Sequence, residues 1–120
     1  MRATALALLI FSLTTATAAA AEKRVYRLDN ITATAVPGGI RIEAKGAVQS
    51  GGWSHARLKL SQSDARTVVV EFLAQPPAAG KVVIMGLLPV NAQVTVRAGH
   101  GVTSVRAIAD ANEVTAQVLR

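Results

Sequence analysis

The only tryptophan of the chain stands in Ser50-Gly51-Gly52-Trp53-Ser54-His55-Ala56-Arg57, two residues ahead of one of its two histidines. Three kinds of chemistry are conceivable for such a segment. Gly52-Trp53-Ser54-His55-Ala56 lies one residue from the G-x-S-x-G turn that lifts a nucleophilic serine out of a strand. That turn needs a helix directly behind it, with an acid and a histidine delivered from later loops. Here the residues after His55 alternate like a strand, and the one later histidine is His100. A hydrolase is therefore not expected, and no catalytic residue is assigned.

Metal binding is the second possibility. Zinc sites take three or four Cys, His or carboxylate ligands. The chain has His55, His100, no cysteine and no close pair of histidines. Small copper-carrying sandwiches are comparable in size, but they draw on His and Met clusters, and beyond the N-terminal region only Met85 is available. No metal site and no cofactor are expected. The alternative kept open is a ligand or metal carrier in which His55 and His100 converge from two loops.

The third possibility is an aromatic platform of the kind that stacks sugars or bases. After the N-terminal region the aromatic residues are Tyr26, Trp53 and Phe72, far apart in sequence, so no platform is expected. The reading preferred for Trp53 is that its indole packs across the end of a sheet. Gly51 and Gly52 would let the backbone turn tightly behind it. If the segment makes a contact, Trp53, Ser54, His55, Arg57 and Lys59 are its candidate binding residues. Elsewhere, Gly99-His100-Gly101 lacks the third glycine of a dinucleotide fingerprint and reads as a hairpin turn. Glu71, inside Val68-Val69-Val70-Glu71-Phe72, falls by alternation on the face of Val69, where exposure or a basic cross-strand partner would satisfy it.

The elements that must position these residues are strands. Ile40, Ile42 and Ala44 alternate with Arg41, Glu43 and Lys45, as in a strand with one buried face. Ile31 to Val36 reads as a strand too, joined to the first by Pro37-Gly38-Gly39. Further strands are expected over Ala56–Leu60, Thr67–Leu73, Lys81–Leu88 (stopped by Pro89), Val90–Val96, Val102–Ala109 and Val114–Leu119. No segment after the N-terminal region carries a 3.6-residue stripe. The expected fold is all-β, an antiparallel immunoglobulin-like sandwich of about 7–8 strands.

The first residues belong to a different object. Met1-Arg2, the apolar run Leu6–Leu13 and the small residues Thr14–Ala21 have the layout of a secretory signal peptide, with cleavage expected before Glu22. That divides the chain into a leader, 1–21, and one β-sandwich domain, 22–120. The expected location is exported, periplasmic or secreted, with no transmembrane segment in the mature chain. Absence of cysteine excludes disulfides and Cys-based metal sites, so the domain must rely on its apolar core. The net charge of +6 points toward anionic surfaces. Arg57 and Lys59, with Arg41 and Lys45, would form a basic stripe if their strands were neighbours. Nucleic acid is not an expected partner, since no nucleic-acid motif is present.

The Gly-Gly-Trp-Ser corner, the Val-Val-Val-Glu-Phe strand, the double proline, Leu-Pro-Val and the closing Ala-Asn-Glu together resemble small exported bacterial all-β proteins of unknown function. The resemblance implies a compact exported β-domain and carries no site residues across. The function expected from the whole sequence is that of a non-enzymatic exported module that binds a protein or cell-envelope component. Strand addition at an exposed sheet edge is a reasonable mechanism for it.

Overall fold

Ile40, Ile42 and Ala44 are buried and Arg41, Glu43 and Lys45 between them are exposed, as the period-two pattern requires. The computed structural model describes residues 21–120, and the leader expected over residues 1–21 lies outside them apart from Ala21. Eight strands follow in order: β1 (Lys23–Arg24), β2 (Arg27–Val36), β3 (Gly39–Ser50), β4 (Ser54–Ser63), β5 (Thr67–Gln75), β6 (Met85–Arg97), β7 (Ser104–Ile108) and β8 (Glu113–Leu119). Among the described residues there is no helix.

The strands form one mixed sheet. β4 flanks one side of β5, while β1 and β7 share its other side, and the sheet continues through β8, β2 and β3 to β6. β4 and β6 are its edges, and they come alongside each other without a ladder, so the sheet curls into a half-barrel. A wholly antiparallel immunoglobulin-like sandwich was the expectation. The difference lies in two pairs, β2 with β8 and β5 with β7, which are parallel. Each parallel pair joins strands distant in sequence, and local alternation carries no information on which distant strand a given strand will meet.

Turn chemistry explains the local connections. β2 and β3 form a hairpin closed at Val36↔Gly39, with Pro37 and Gly38 at its tip and Gly38 at φ 79°. Proline followed by a glycine in left-handed backbone is the type II arrangement. β7 and β8 form a second hairpin, closed by Ala109 N–H donating to Asn112 O at 2.8 Å. Gly99-His100-Gly101 turns the chain, but β6 and β7 do not pair, so it is a crossover between distant parts of the sheet rather than a hairpin. Pro89 does not stop its strand: β6 runs from Met85 through it, replacing the two separate strands expected there. As an edge strand β6 has one side free of ladder bonds, where a residue lacking an N–H is tolerated.

The core gathers from every part of the sheet. Phe72, Ile40, Ile42, Val25, Val48, Val68, Val70 and Val105 are its largest fully buried side chains. On β5, Val68, Val70, Phe72 and Ala74 enter this core, while Val69 and Leu73 cover the opposite face. Gly46 lets β2 and β3 approach: a Cβ there would collide with the carbonyl oxygen of Arg27 and reach Phe72 Cε1 at 3.0 Å. One polar clamp ties the two hairpins together. Asn112 Oδ1 accepts from Leu28 N–H and Asn112 Nδ2 donates to Leu28 O, both at 2.9 Å, so a side-chain amide completes the backbone pairing where β2 bulges.

Candidate functional site

The corner after β3 is built by its glycines and its tryptophan. Gly51 N–H donates to Ile84 O at 2.8 Å, tying the corner to the segment that leads into β6. Gly52 sits at φ 85°, a left-handed conformation that side chains disfavour, and a Cβ there would lie 2.9 Å from Pro77 Cβ. The chain reverses at this point and delivers Trp53 against the core, partly buried. Its Nε1–H donates to Ser50 Oγ at 3.2 Å, and Ser50 Oγ in turn donates to Gly51 O at 3.2 Å. Trp53 therefore packs at the end of the sheet, as expected, with its polar edge satisfied by the residue that precedes the turn.

One side of the indole faces outward into a cleft of about 390 Å³ lined by Lys23, Arg24, Tyr26, Gln49, Trp53 and Asp110. These residues come from four places in the chain, and the backbone holds each firmly. Val25 N–H donates to Phe72 O at 2.8 Å, fixing β1 beside β5. Asp110 N–H donates to Val25 O at 2.9 Å and Ala111 N–H to Tyr26 O at 2.8 Å, so the β7–β8 turn is tied to the β1–β2 segment. Gln49 arrives on the exposed parity of β3. The cleft thus joins two aromatic residues, two cations, a carboxamide and a carboxylate. Tyr26 and Trp53 were too far apart in sequence to suggest a shared surface; contact through β1, which only the tertiary fold defines, brings them together.

The other candidates lie along β4. Ser54 and His55 are exposed, with Ser54 Oγ 3.0 Å from His55 Nδ1. His55 is the one non-glycine at positive φ among the described residues, at 54°, and it occupies a bulge where β4 sets two residues, His55 and Ala56, against the single Ala74 between its pairings with Gln75 and Leu73. Bulges of this kind re-aim side chains, and left-handed backbone at a non-glycine is uncommon. Arg57 is engaged by Glu22: its Nε donates at 3.0 and 2.9 Å and its terminal nitrogen at 2.7 Å. These hydrogen bonds, with the charge of Glu22, raise the Arg57 pKa above its ordinary value. Lys59 pairs across the ladder with Glu71, and Glu71 accepts from Arg24 at 2.9 Å. Glu71 is thus half-exposed with basic neighbours, as its alternation implied.

Two groupings considered from the sequence do not form. β3 and β4 are not neighbours, so Arg41 and Lys45 do not extend a stripe with Arg57 and Lys59. Arg41 faces Glu43 at 3.6 Å instead, and the basic surface is interleaved with acids. His55 follows the corner at the Ser50 end of β3, whereas His100 follows the end of β6 paired with Gly39, the opposite end. A twelve-residue strand separates those ends by roughly 35 Å along the ladder, so the two imidazoles share no site. Among the described residues no three His, Cys, Asp or Glu side chains group as metal ligands, and no helix is long and apolar enough to cross a membrane.

Comparison of the chain with protein-family models, with curated proteins and with solved structures gives no match. The functional reading therefore rests on the geometry of the cleft and of β4.

Proposed function

We propose that this protein is an exported, non-enzymatic binding module of the cell envelope, and that the cleft at Trp53 is where it holds its partner. The observation that carries the reading is the convergence of Tyr26 and Trp53 with Lys23, Arg24, Gln49 and Asp110 in one open concavity. Aromatic faces cover apolar ring carbons, while amide and carboxylate groups bind hydroxyls and fix orientation. Lysine and arginine add attraction for carboxylates. The class of ligand that uses all of these together is a saccharide chain carrying acidic groups. The leader-like residues 1–21 support export, and a sandwich-like closure of the half-barrel over one shared core supports a rigid carrier for the cleft.

A protein partner is the second reading, favoured by one observation: β4 and β6 each have one side without ladder bonds, and β6 carries no charged residue between Met85 and Val96. Strand addition there would satisfy open backbone groups, with Ser54, His55, Arg57 and Lys59 beside it if β4 is used.

Intrinsic fluorescence is the direct test, because Trp53 is the single tryptophan. Titration of the chain beginning at Glu22 with soluble acidic oligosaccharides from envelope material is expected to shift Trp53 emission saturably. Tyr26→Ala and Lys23→Ala should each weaken binding by about tenfold, the scale of one stacking or one charge-assisted contact. Emission that does not respond to any such saccharide, with strand-mediated capture of an envelope protein instead, moves the conclusion to the sheet edge.

A further inference from the structure

The large apolar side chains left exposed by the fold are concentrated in one place. Val82 is 101 % exposed, Ile84 79 %, Met85 75 % and Leu87 52 %, and Leu88 follows at 39 %. They form the arm that leads from the β5–β6 connection into the first residues of β6. Successive residues of a strand face opposite ways, so exposure of Ile84, Met85, Leu87 and Leu88 means that the arm is bare on both faces. Its second half pairs with β3, Leu88 opposite Val48 and Met85 opposite Ser50, and the Gly51-Gly52 corner supports its first half: Gly51 N–H holds Ile84 O at 2.8 Å, and a Cβ on Gly52 would reach Val83 Cγ1 at 3.2 Å.

We propose that this arm, residues 81–88, docks the protein onto an anionic lipid bilayer surface. Three observations select that occupant. The first is exposure, since an edge segment bare on both faces buries only one of them against a flat protein surface, whereas fluid acyl chains can cover both. Composition is the second. The arm offers only aliphatic side chains and methionine, without the aromatic and arginine anchors that dominate protein interfaces. The third is charge. Lys81 opens the arm, the chain contains no Asp or Glu between Glu71 and Asp110, and the protein carries +6 overall. Apolar residues flanked by a cation, on a cationic body, are the requirements for binding at the boundary between anionic headgroups and acyl chains.

Penetration is shallow. The backbone of residues 81–84 belongs to no strand, and its polar groups must stay within reach of headgroups and water. The arm uses none of the residues that line the cleft, so failure of one proposal leaves the other standing.

The test is sedimentation of the chain beginning at Glu22, which lacks the apolar leader, with vesicles of phosphatidylcholine and phosphatidylglycerol mixed one to one. Binding is expected, and Ile84→Ser with Leu87→Ser together should weaken it by about a hundredfold, roughly tenfold for each side chain withdrawn from the apolar phase. Lys81→Glu should weaken it several-fold on these vesicles and not on phosphatidylcholine alone. Leu119→Ser, which removes a side chain 58 % exposed elsewhere on the protein, should leave binding unchanged. Circular dichroism should be the same for all of these variants, since every altered side chain is exposed. Vesicle binding unaffected by the double substitution overturns the proposal. So does a soluble dimer that the double substitution dissociates, which would assign the arm to a second copy of the chain.

Discussion

Replacing Trp53 separates the two things the residue does, which are covering core and donating one hydrogen bond. An indole buries about 150–250 Å² when enclosed. Trp53 is partly buried against the core and open on its cleft side, so roughly 130 Å² of apolar area is removed from water, which is about 3 kcal/mol at ~25 cal/mol per Å². Its Nε1–H to Ser50 Oγ contributes about 1 kcal/mol more, in a place where Ser50 is only 8 % exposed. Allowing for the Cβ that remains, Trp53→Ala should cost about 3–4 kcal/mol. That lowers the melting temperature of a domain this size by roughly 15–25 °C. Trp53→Phe keeps most of the packing and loses the hydrogen bond, for a cost of about 1–2 kcal/mol. The assay is urea and thermal unfolding followed by far-ultraviolet circular dichroism, because the substitution removes the fluorophore. An alanine variant with the wild-type midpoint would refute the packing argument outright. Equal losses for alanine and phenylalanine would show that the hydrogen bond, rather than the area, holds the corner.

Gly52→Ala meets two obstacles, left-handed backbone and a Cβ 2.9 Å from Pro77, and should destabilise by about 2–4 kcal/mol in urea unfolding. Gly51→Ala, whose nearest contact would be Leu88 Cδ1 at 3.7 Å, serves as its near-neutral control. Asn112→Ala removes both bonds to Leu28 and leaves that backbone unpaired, so a loss of about 2 kcal/mol is expected, read from the same unfolding curves. Acidification acts on Asp64, whose carboxylate accepts from the backbone N–H groups of Arg66 and Thr67, both at 2.8 Å. Those bonds hold its pKa below the ordinary 3.8. The native state therefore binds that proton less readily than the unfolded chain. The stabilisation is complete above the ordinary value and fades as pH falls below it toward the depressed one. Melting temperatures of the wild type and Asp64→Ala should differ at neutral pH and converge in strong acid; curves that stay parallel through that range would contradict this.

Strand positions were legible because alternation is a local property. Ile40, Ile42 and Ala44 announce a buried face whatever β3 pairs with, and Pro37-Gly38 announces a turn by its own backbone preferences. The packing role of Trp53 was legible for a similar reason, since Gly52 signals a reversal that must place a large side chain against something. The two strands expected on either side of Pro89 were misjudged as separate because proline's effect depends on whether its strand is central or an edge, and edge status is a tertiary fact.

The candidate site was less legible. Arg57 was expected in a basic stripe, but Glu22, 35 residues earlier, binds its guanidinium. Tyr26 read as an isolated aromatic until the β1 contact with β5 and the Asp110 turn placed it beside Trp53.

By itself, then, the sequence determined that the described residues form strands and no helix, which face of strands such as β3 turns to the core, and where the β2–β3 hairpin turns. Each of these is encoded within a few neighbouring residues, as period-two patterning or a backbone preference. Tertiary structure alone decided the parallel pairing of β2 with β8 and β5 with β7, the half-barrel closure, the cleft and the exposed arm. Those features depend on contacts between residues far apart in the chain, and a residue's type constrains its partner's type without naming its position.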